Sequence, residues 1–358
     1  SGGLAPFERG LYGASEMVMD GFMHLHQAGI LVRRVVDDVE FMRRDAADAL
    51  TAADRERLER EGQFLHGGFW LGSKELYRWL RELPPTIERA IGMTRISHIN
   101  ELYGGNESLE RLQRRRPRFF NTCMMMSALG AATSDALESG QVVSGVGGQY
   151  NFVAMAHALH DSRSVLMFRA VREERGRRAS NVVWSHGHVT IPRHLRDVAI
   201  TEYGVADLRD AGDAECIAAM LRICDARFAP TLRATAIGNG KLDPADAPDA
   251  AFAHNTAARI AALLAPYRRD GLLPDYPLGS DFDPTEQRLV RALGWLRRHT
   301  ATRLGMLRTL LAALVARPCG DAEALQRMAL QSPAGLRERL TARLVHLALA
   351  ATRREHDA

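Results

Sequence analysis

Several signatures are missing from this sequence, and each absence removes a class of function. There is no Gly-x-Ser-x-Gly elbow, which argues against a serine hydrolase, and no glycine-rich loop followed by Lys and Ser or Thr to cradle a nucleotide phosphate. Gly145-x-Gly147 would need a third glycine where Tyr150 stands to become the dinucleotide fingerprint. There is no His-Glu-x-x-His run and no cysteine pair at zinc spacing; His186-Gly187-His188, and His157 with His160, lack a third ligand, so no metal is expected. Cysteine itself is scarce. Cys123, Cys216, Cys224 and Cys319 have no disulfide-framework density and are expected to be buried small hydrophobes in a reducing, cytoplasmic setting. No apolar run reaches the length of a membrane-spanning helix, and no charged-then-apolar leader opens the chain. Charge of one sign is lacking as well. With 47 Lys and Arg against 43 Asp and Glu, the formal net charge is +4, too mild to indicate nucleic-acid binding but compatible with an anionic small ligand.

What remains is a chain of 358 residues, 46% hydrophobic, long enough for one large core and an appendage. Strand and helix signals alternate through its first two thirds, which is the pattern of an α/β domain. From Ser15 the apolar positions Met17, Val18, Phe22, Met23, Leu25 and Ile30 fit a helix ending near Gly29. Glu16 would then stand at its entrance, where unsatisfied N–H groups favour a carboxylate's charged form, the state a nucleophile requires. Residues 43–61 are charged and alanine-rich, as in a solvent-facing helix or insertion. Residues 64–70 read as a strand, and Ser73 with Glu75 opens a helix that Pro84-Pro85 stops.

The stretch from Gly140 to Ser144 reads as a strand leading into Gly145-Val146-Gly147-Gly148, and Tyr150 to Leu159 as a helix. Strand, glycine turn and helix together point bare N–H groups at an anionic or carbonyl oxygen. Strands are expected again at 165–170, 181–184 and 197–201, and a helix within 206–221. Residues 239–255, rich in Asp, Pro and Ala, read as a linker, and 286–315 and 334–350 as amphipathic helices. Arginines on the outer face of these helices leave room for contact with a membrane surface, a minor alternative. The expected division is a domain over 1–238 and a linker with helical extension over 239–358.

Three motifs give the chain a resemblance. Ala14-Ser15-Glu16-Met17-Val18-Met19-Asp20-Gly21, Ser144 to Phe152, and Thr201-Glu202-Tyr203-Gly204-Val205-Ala206-Asp207-Leu208-Arg209 together resemble the acetyl-CoA hydrolase and CoA-transferase family that includes 4-hydroxybutyrate and succinyl-CoA:acetate CoA-transferases. Weaker similarity lies in Leu71 to Tyr77, Asn121 to Leu129 and Leu278 to Phe282, so the likeness extends over about 13–296. The resemblance implies a CoA-transferase-like α/β/α domain of the NagB/RpiA type with a helical C-terminal extension. It implies Glu16 as catalytic nucleophile, and Ser144, Gly145, Gly147, Gly148 and Arg163 as oxyanion and CoA-binding residues, with Glu202 supporting. Coenzyme A enters as substrate, the partners being an acyl-CoA and a small carboxylate.

Two departures bear on substrate choice and activity: Asn151 replaces the family's aspartate, and Ala154 stands where the family tends to have arginine. Arg163 replaces a lysine, keeping the charge and changing its geometry. The family also has an N-terminal domain before the glutamate segment that contributes to the site. Ser1-Gly2-Gly3 has no initiator methionine and reads as a processing scar, so the chain is expected to be a fragment lacking that domain. Crowded leucines in the C-terminal helices suggest a homodimer. A non-catalytic CoA-binding or regulatory domain that keeps the fold is the alternative reading; a sugar-phosphate isomerase of related fold leaves the Glu16 motif unexplained.

Overall fold

The computed structural model describes residues 8–174, 176–277, 279–316 and 320–357; Ser1-Gly2-Gly3, Leu278 and Cys319 lie outside them. The chain divides into two compact units, Ser1–Leu278 and Gly279–Ala358.

The first unit opens on strand β1 (Gly13–Val18), followed by helices α1 (Asp20–Gln27), α2 (Val39–Ala46) and α3 (Ala52–Glu61). Glu16 therefore sits on a strand, not at the entrance of a helix. The reason is local: residues 13–18 pair in parallel with strand β2 (Leu65–Trp70), Met19 remains extended, and the helix starts only at Asp20. Asp20 takes the acid's place in the first turn. Helix α3 begins with a reciprocal Thr51–Asp54 capping box and buries no residue, so the solvated helix expected over 43–61 is confined to 52–61, while 43–46 close α2 and include the buried Asp45.

After β2 come α4 (Lys74–Arg81), capped by Ser73, then α5 (Pro85–Glu88), β3 (Ile91–Met93), α6 (Ile96–Asn100) and α7 (Glu107–Gln113). Strands β1, β2 and β3 form a parallel sheet in that order, with Ala14 opposite His66 and His66 opposite Gly92. Helix α6 packs on β1 and β2. Gly68 permits that approach, since a Cβ there would collide with the Ile96 side chain.

Next follow β4 (Arg118–Thr122), β5 (Met125–Ser127), β6 (Ala132–Thr133), α8 (Gln149–Ala158), β7 (Arg163–Met167), the hairpin of β8 (Val171–Glu174) and β9 (Arg177–Ser180), then β10 (Val182–Val183), β11 (Val198–Thr201) and β12 (Gly204–Asp207). A second sheet has the order β12-β11-β7-β4, parallel except for β12, and a third the order β10-β5-β6. The strand expected over 140–144 is instead an exposed loop, tied by the bridge between Ala136 and Val142 and by hydrogen bonds from Val143 N and Ser144 N to the Asp135 carbonyl. Val142 and Val143 stand in solvent, so that segment has no apolar face to bury.

Helices α9 (Asp213–Arg222), α10 (Ala229–Gly238) and α11 (Ala257–Arg269) complete the unit. Its largest core joins Val153 of α8, Leu166 of β7, Ala199 of β11, Ile217 and Leu221 of α9, and Leu232 of α10. Leu242, Ala247 and Phe252 belong to the same core, and Asn255 donates to the carbonyls of Arg222 and Cys224. The stretch read from the sequence as a linker is thus packed into the first unit, and the division falls at 278/279 rather than 238/239. The second unit is helical: α12 (Pro284–His299), α13 (Arg303–Val315), α14 (Ala322–Arg327) and α15 (Leu336–Asp357), with Leu289, Ala292, Ala324, Val345 and Leu349 at its centre. Among the described residues no helix is long and apolar enough to cross a membrane.

Candidate active site

Glu16 is half-buried on the face of the first sheet that α6 covers. Its Oε1 accepts a hydrogen bond of 2.6 Å from Nδ2 of Asn100, the last residue of α6, which is 7% exposed. The carboxylate also lies against the glycine turn at the start of α8. A Cβ built on Gly148 would overlap Glu16 Oε1 and stand 2.7 Å from Asn100 Nδ2, and one on Gly147 would be 3.6 Å from Glu16 Oε2. Only a residue without a side chain fits at 148. Gly147 has φ +60°, a left-handed backbone that glycine adopts without strain.

The turn is held from below. Gln149, buried as the first residue of α8, donates from Nε2 to the Thr122 carbonyl at the carboxyl end of β4 (3.0 Å), and the Gly148 carbonyl accepts from Phe152 N (2.9 Å). The start of an α-helix leaves its first N–H groups without intrahelical partners, and in α8 that end faces the Glu16 carboxylate. An arrangement of this kind can hold an oxygen that gains negative charge.

Other residues singled out in the sequence fall elsewhere. Ser144 and Gly145 lie on the exposed approach to the turn; the Ser144 hydroxyl donates to the Gly145 carbonyl, and a Cβ on Gly145 would meet open space. Glu202 follows β11 at the carboxyl edge of the second sheet, the edge from which the glycine turn is anchored; its Oε2 accepts from Ala170 N (2.9 Å) and fixes the chain just beyond β7. The residues after it are pinned too: the Tyr203 hydroxyl donates to Asp225 (2.7 Å), which Arg227 also binds. Burial pushes the Asp225 carboxyl up, but these donors outweigh it and bring it to about 2.

Arg163 is not brought to Glu16. It begins β7, directly opposite Arg118 at the amino end of the parallel pair, whereas the glycine turn sits at the carboxyl end. Helix α8, ten residues or roughly 15 Å long, separates the two. Arg163 instead lines an open cavity of about 600 Å³ in which it and Arg193, Arg196 and Arg209 are balanced by Asp161, Asp197, Asp210 and Asp213. Position in the chain next to a helix does not reveal which end of the sheet a residue occupies.

Asn100 is the functional candidate that sequence reasoning missed. A lone asparagine closing a five-residue helix has no periodicity or motif to mark it, and only the folded chain brings it to a residue 84 positions away. On the adjoining strand β2, His66 is buried. The Tyr12 hydroxyl and His66 Nδ1 are 2.7 Å apart, the His98 ring lies 5.1 Å from that of His66 at a tilt of 55°, and burial, reinforced by His98, pulls the His66 imidazole down to about 4. Cys123 and Cys224 are inert: burial raises their thiols to about 12 and about 11. Among the described residues no group of three or more His, Cys, Asp or Glu is placed to hold a metal ion.

Residues 72–236 match the family model of the acetyl-CoA hydrolase/transferase C-terminal domain. That stretch includes Asn100, Gly147, Gly148, Arg163 and Glu202; Glu16 precedes it. The chain is 22% identical over 227 residues to a 4-hydroxybutyrate coenzyme A transferase of Clostridium kluyveri, a match covering 61% of this chain and 43% of that protein. Among solved structures, RipA from Yersinia pestis aligns with a TM-score of 0.48 and 22% identity over 65% of this chain and 45% of its own. A 4-hydroxybutyrate CoA-transferase from Porphyromonas gingivalis aligns with a TM-score of 0.44 and 20% identity, over 64% and 46%. The matches thus span less than half the length of these relatives. On the domain match and the transferase relative, the chain contains a region, residues 72–236, similar to the C-terminal domain of the acetyl-CoA hydrolase/transferase family.

Proposed function

We propose that Glu16 is the nucleophile of an acyl-CoA:carboxylate CoA-transferase, or of a short-chain acyl-CoA hydrolase, working through a glutamyl-CoA thioester. The observation that carries this reading is the Glu16 carboxylate seated between the Asn100 amide and the Gly147–Gly148 turn. Attack of a Glu16 oxygen on the thioester carbonyl gives an acyl-glutamyl anhydride and expels the CoA thiolate. The thiolate then attacks the glutamyl carbonyl of the anhydride, releasing the acyl group as its carboxylate and leaving glutamyl-CoA. A second carboxylate, or water, attacks next and regenerates Glu16. Covalent catalysis divides one exchange into easier steps, each passing through a tetrahedral oxyanion.

In this scheme the amides of the Gly147–Gly148 turn supply the oxyanion donors, and Asn100 turns the carboxylate toward the thioester. Coenzyme A is a substrate, and its remote contacts would supply binding energy for a poor nucleophile. Glu202 has a supporting part, through the chain it fixes at Ala170. Arg163, at the far edge of the sheet, is assigned no part in the chemical steps. The relatives named as CoA-transferases are about twice as long as the matched region, so the activity belongs to the intact protein. The test is turnover of acetyl-CoA and other acyl-CoAs by that protein and by its Glu16→Gln variant. Loss of turnover in a variant that folds normally is expected; unchanged turnover would exclude Glu16 as nucleophile.

A further inference from the structure

Behind the Glu16 site lies a buried cation with no role in the chemistry described so far. Arg114 follows the last residue of α7 and is 5% exposed. One nitrogen, Nη1, donates to Glu110 Oε2 (2.6 Å), to the Glu101 carbonyl (3.4 Å) and to Met155 Sδ (3.5 Å), while Nη2 donates to the His98 carbonyl. Both members of the Arg114–Glu110 pair are at most 5% exposed as side chains. One guanidinium therefore ties α7 to the end of α6 and to the middle of α8.

The two carbonyls it binds flank Asn100. A five-residue helix has too few internal hydrogen bonds to hold its own shape, and its terminal carbonyls need outside donors. Arg114 supplies them, and the cation complements the negative end of the helix. On the other side, Met155 lies seven residues, about two turns, along α8 from Gly148. The same side chain thus touches both elements that enclose Glu16: the helix that presents the Asn100 amide and the helix whose first turn carries the glycines. A buried ion pair is a weak source of stability compared with well-packed apolar side chains, so its presence here calls for a geometric reason.

We infer that Arg114, neutralised by Glu110, is a positioning residue for the Glu16 site, setting the end of α6 and the Asn100 amide against α8. The inference rests on the proposed role of Glu16. It is tested in the full-length protein with the double variant Arg114→Met, Glu110→Leu, which removes the pair without leaving one charge buried alone. Turnover number, KM for acyl-CoA and amide hydrogen exchange are measured together.

The expected result is a fall in kcat of roughly 10- to 100-fold with KM changed by less than about threefold, because a displacement near 1 Å at a reacting group costs rate rather than binding. Faster exchange over 96–101 accompanies it. Arg114→Lys, which keeps the charge but not the planar fork, is expected to lie between; it takes over the test if the double variant does not fold. Unaltered kcat and unaltered exchange over 96–101 in a folded variant would overturn the role of Arg114 alone. Absence of acyl-CoA turnover in the unmodified protein, or its persistence in Glu16→Gln, would instead overturn the reading of Glu16 and this inference with it.

Discussion

At the scale of single residues, the adjacent glycines separate two demands that are easily confused. Gly147 is a conformational requirement: at φ +60° an alanine is strained by about 1–2 kcal/mol, while its Cβ would make only ordinary contact with Glu16. Gly148 is a spatial one: its φ of −84° suits any residue, but a Cβ there overlaps the carboxylate. Gly147→Ala is expected to lower thermal stability and spare much of the turnover. Gly148→Ala is expected to lower kcat at least about 100-fold with little loss of stability, since displacing the reacting group is what costs rate. Kinetics and melting curves on the two variants read this contrast, and equal effects on both would contradict it. His66 gives a second prediction. Its imidazole titrates near 4 in the fold against about 6.5 in the unfolded chain, so the unfolded state binds the proton first as the pH drops. Stability is full above about pH 6.5 and falls by up to about 3 kcal/mol as the pH goes down through 4. His66→Gln keeps a polar group beside Tyr12 and should flatten that part of the melting-temperature profile; an unaltered slope would assign the acid sensitivity to other groups.

At the scale of elements, the first motif and the weak similarity over 71–77 turn out to be two halves of one contact. Asp20, buried at the start of α1, accepts from the Ser73 hydroxyl (2.5 Å) and the Ser73 N–H, while the Ser73 hydroxyl caps α4 by accepting from Glu75 N and Leu76 N. Gly72 makes room, since a Cβ there would be 2.6 Å from Asp20 Oδ2. The carboxyl ends of β1 and β2 are thereby locked side by side, four residues from Glu16. Ser73→Ala removes both the cap and the donor to Asp20, and a loss of about 2 kcal/mol in chemical denaturation is expected; a change under about 0.5 kcal/mol would show the lock to be dispensable. The legibility of the fold follows the same logic of local against distant causes. Helices announced by a cap residue and a periodic face, such as α4 behind Ser73 and α8 behind the glycine turn, could be read from the chain. The segment 14–18 could not, because its apolar spacing fits a helix until β2 is known to lie beside it. The glycine turn and Glu16 were visible as motifs, but their meeting, the Asn100 amide between them and the placing of Arg163 at the opposite edge depend on which strand ends face the same way.

At the scale of the whole molecule, each unit has its own apolar centre, and the candidate site is made entirely within the first. The basic balance of the chain is spread among many local pairs, such as Arg57 with Asp38 and Glu61, and Arg288 with Asp321, rather than gathered into one field. Under the proposed function, recognition of an anionic CoA would then rest on the geometry around Glu16 more than on long-range attraction. Because the matched transferase relative extends well beyond the aligned region, the decisive experiment uses the intact protein. That protein is incubated with acetyl-CoA, treated with borohydride and analysed by intact-mass spectrometry and peptide mapping. The account predicts a CoA thioester adduct, or its reduction product, on Glu16 and its absence in Glu16→Gln. No adduct on Glu16 across several acyl-CoAs that demonstrably bind would contradict covalent catalysis by this residue.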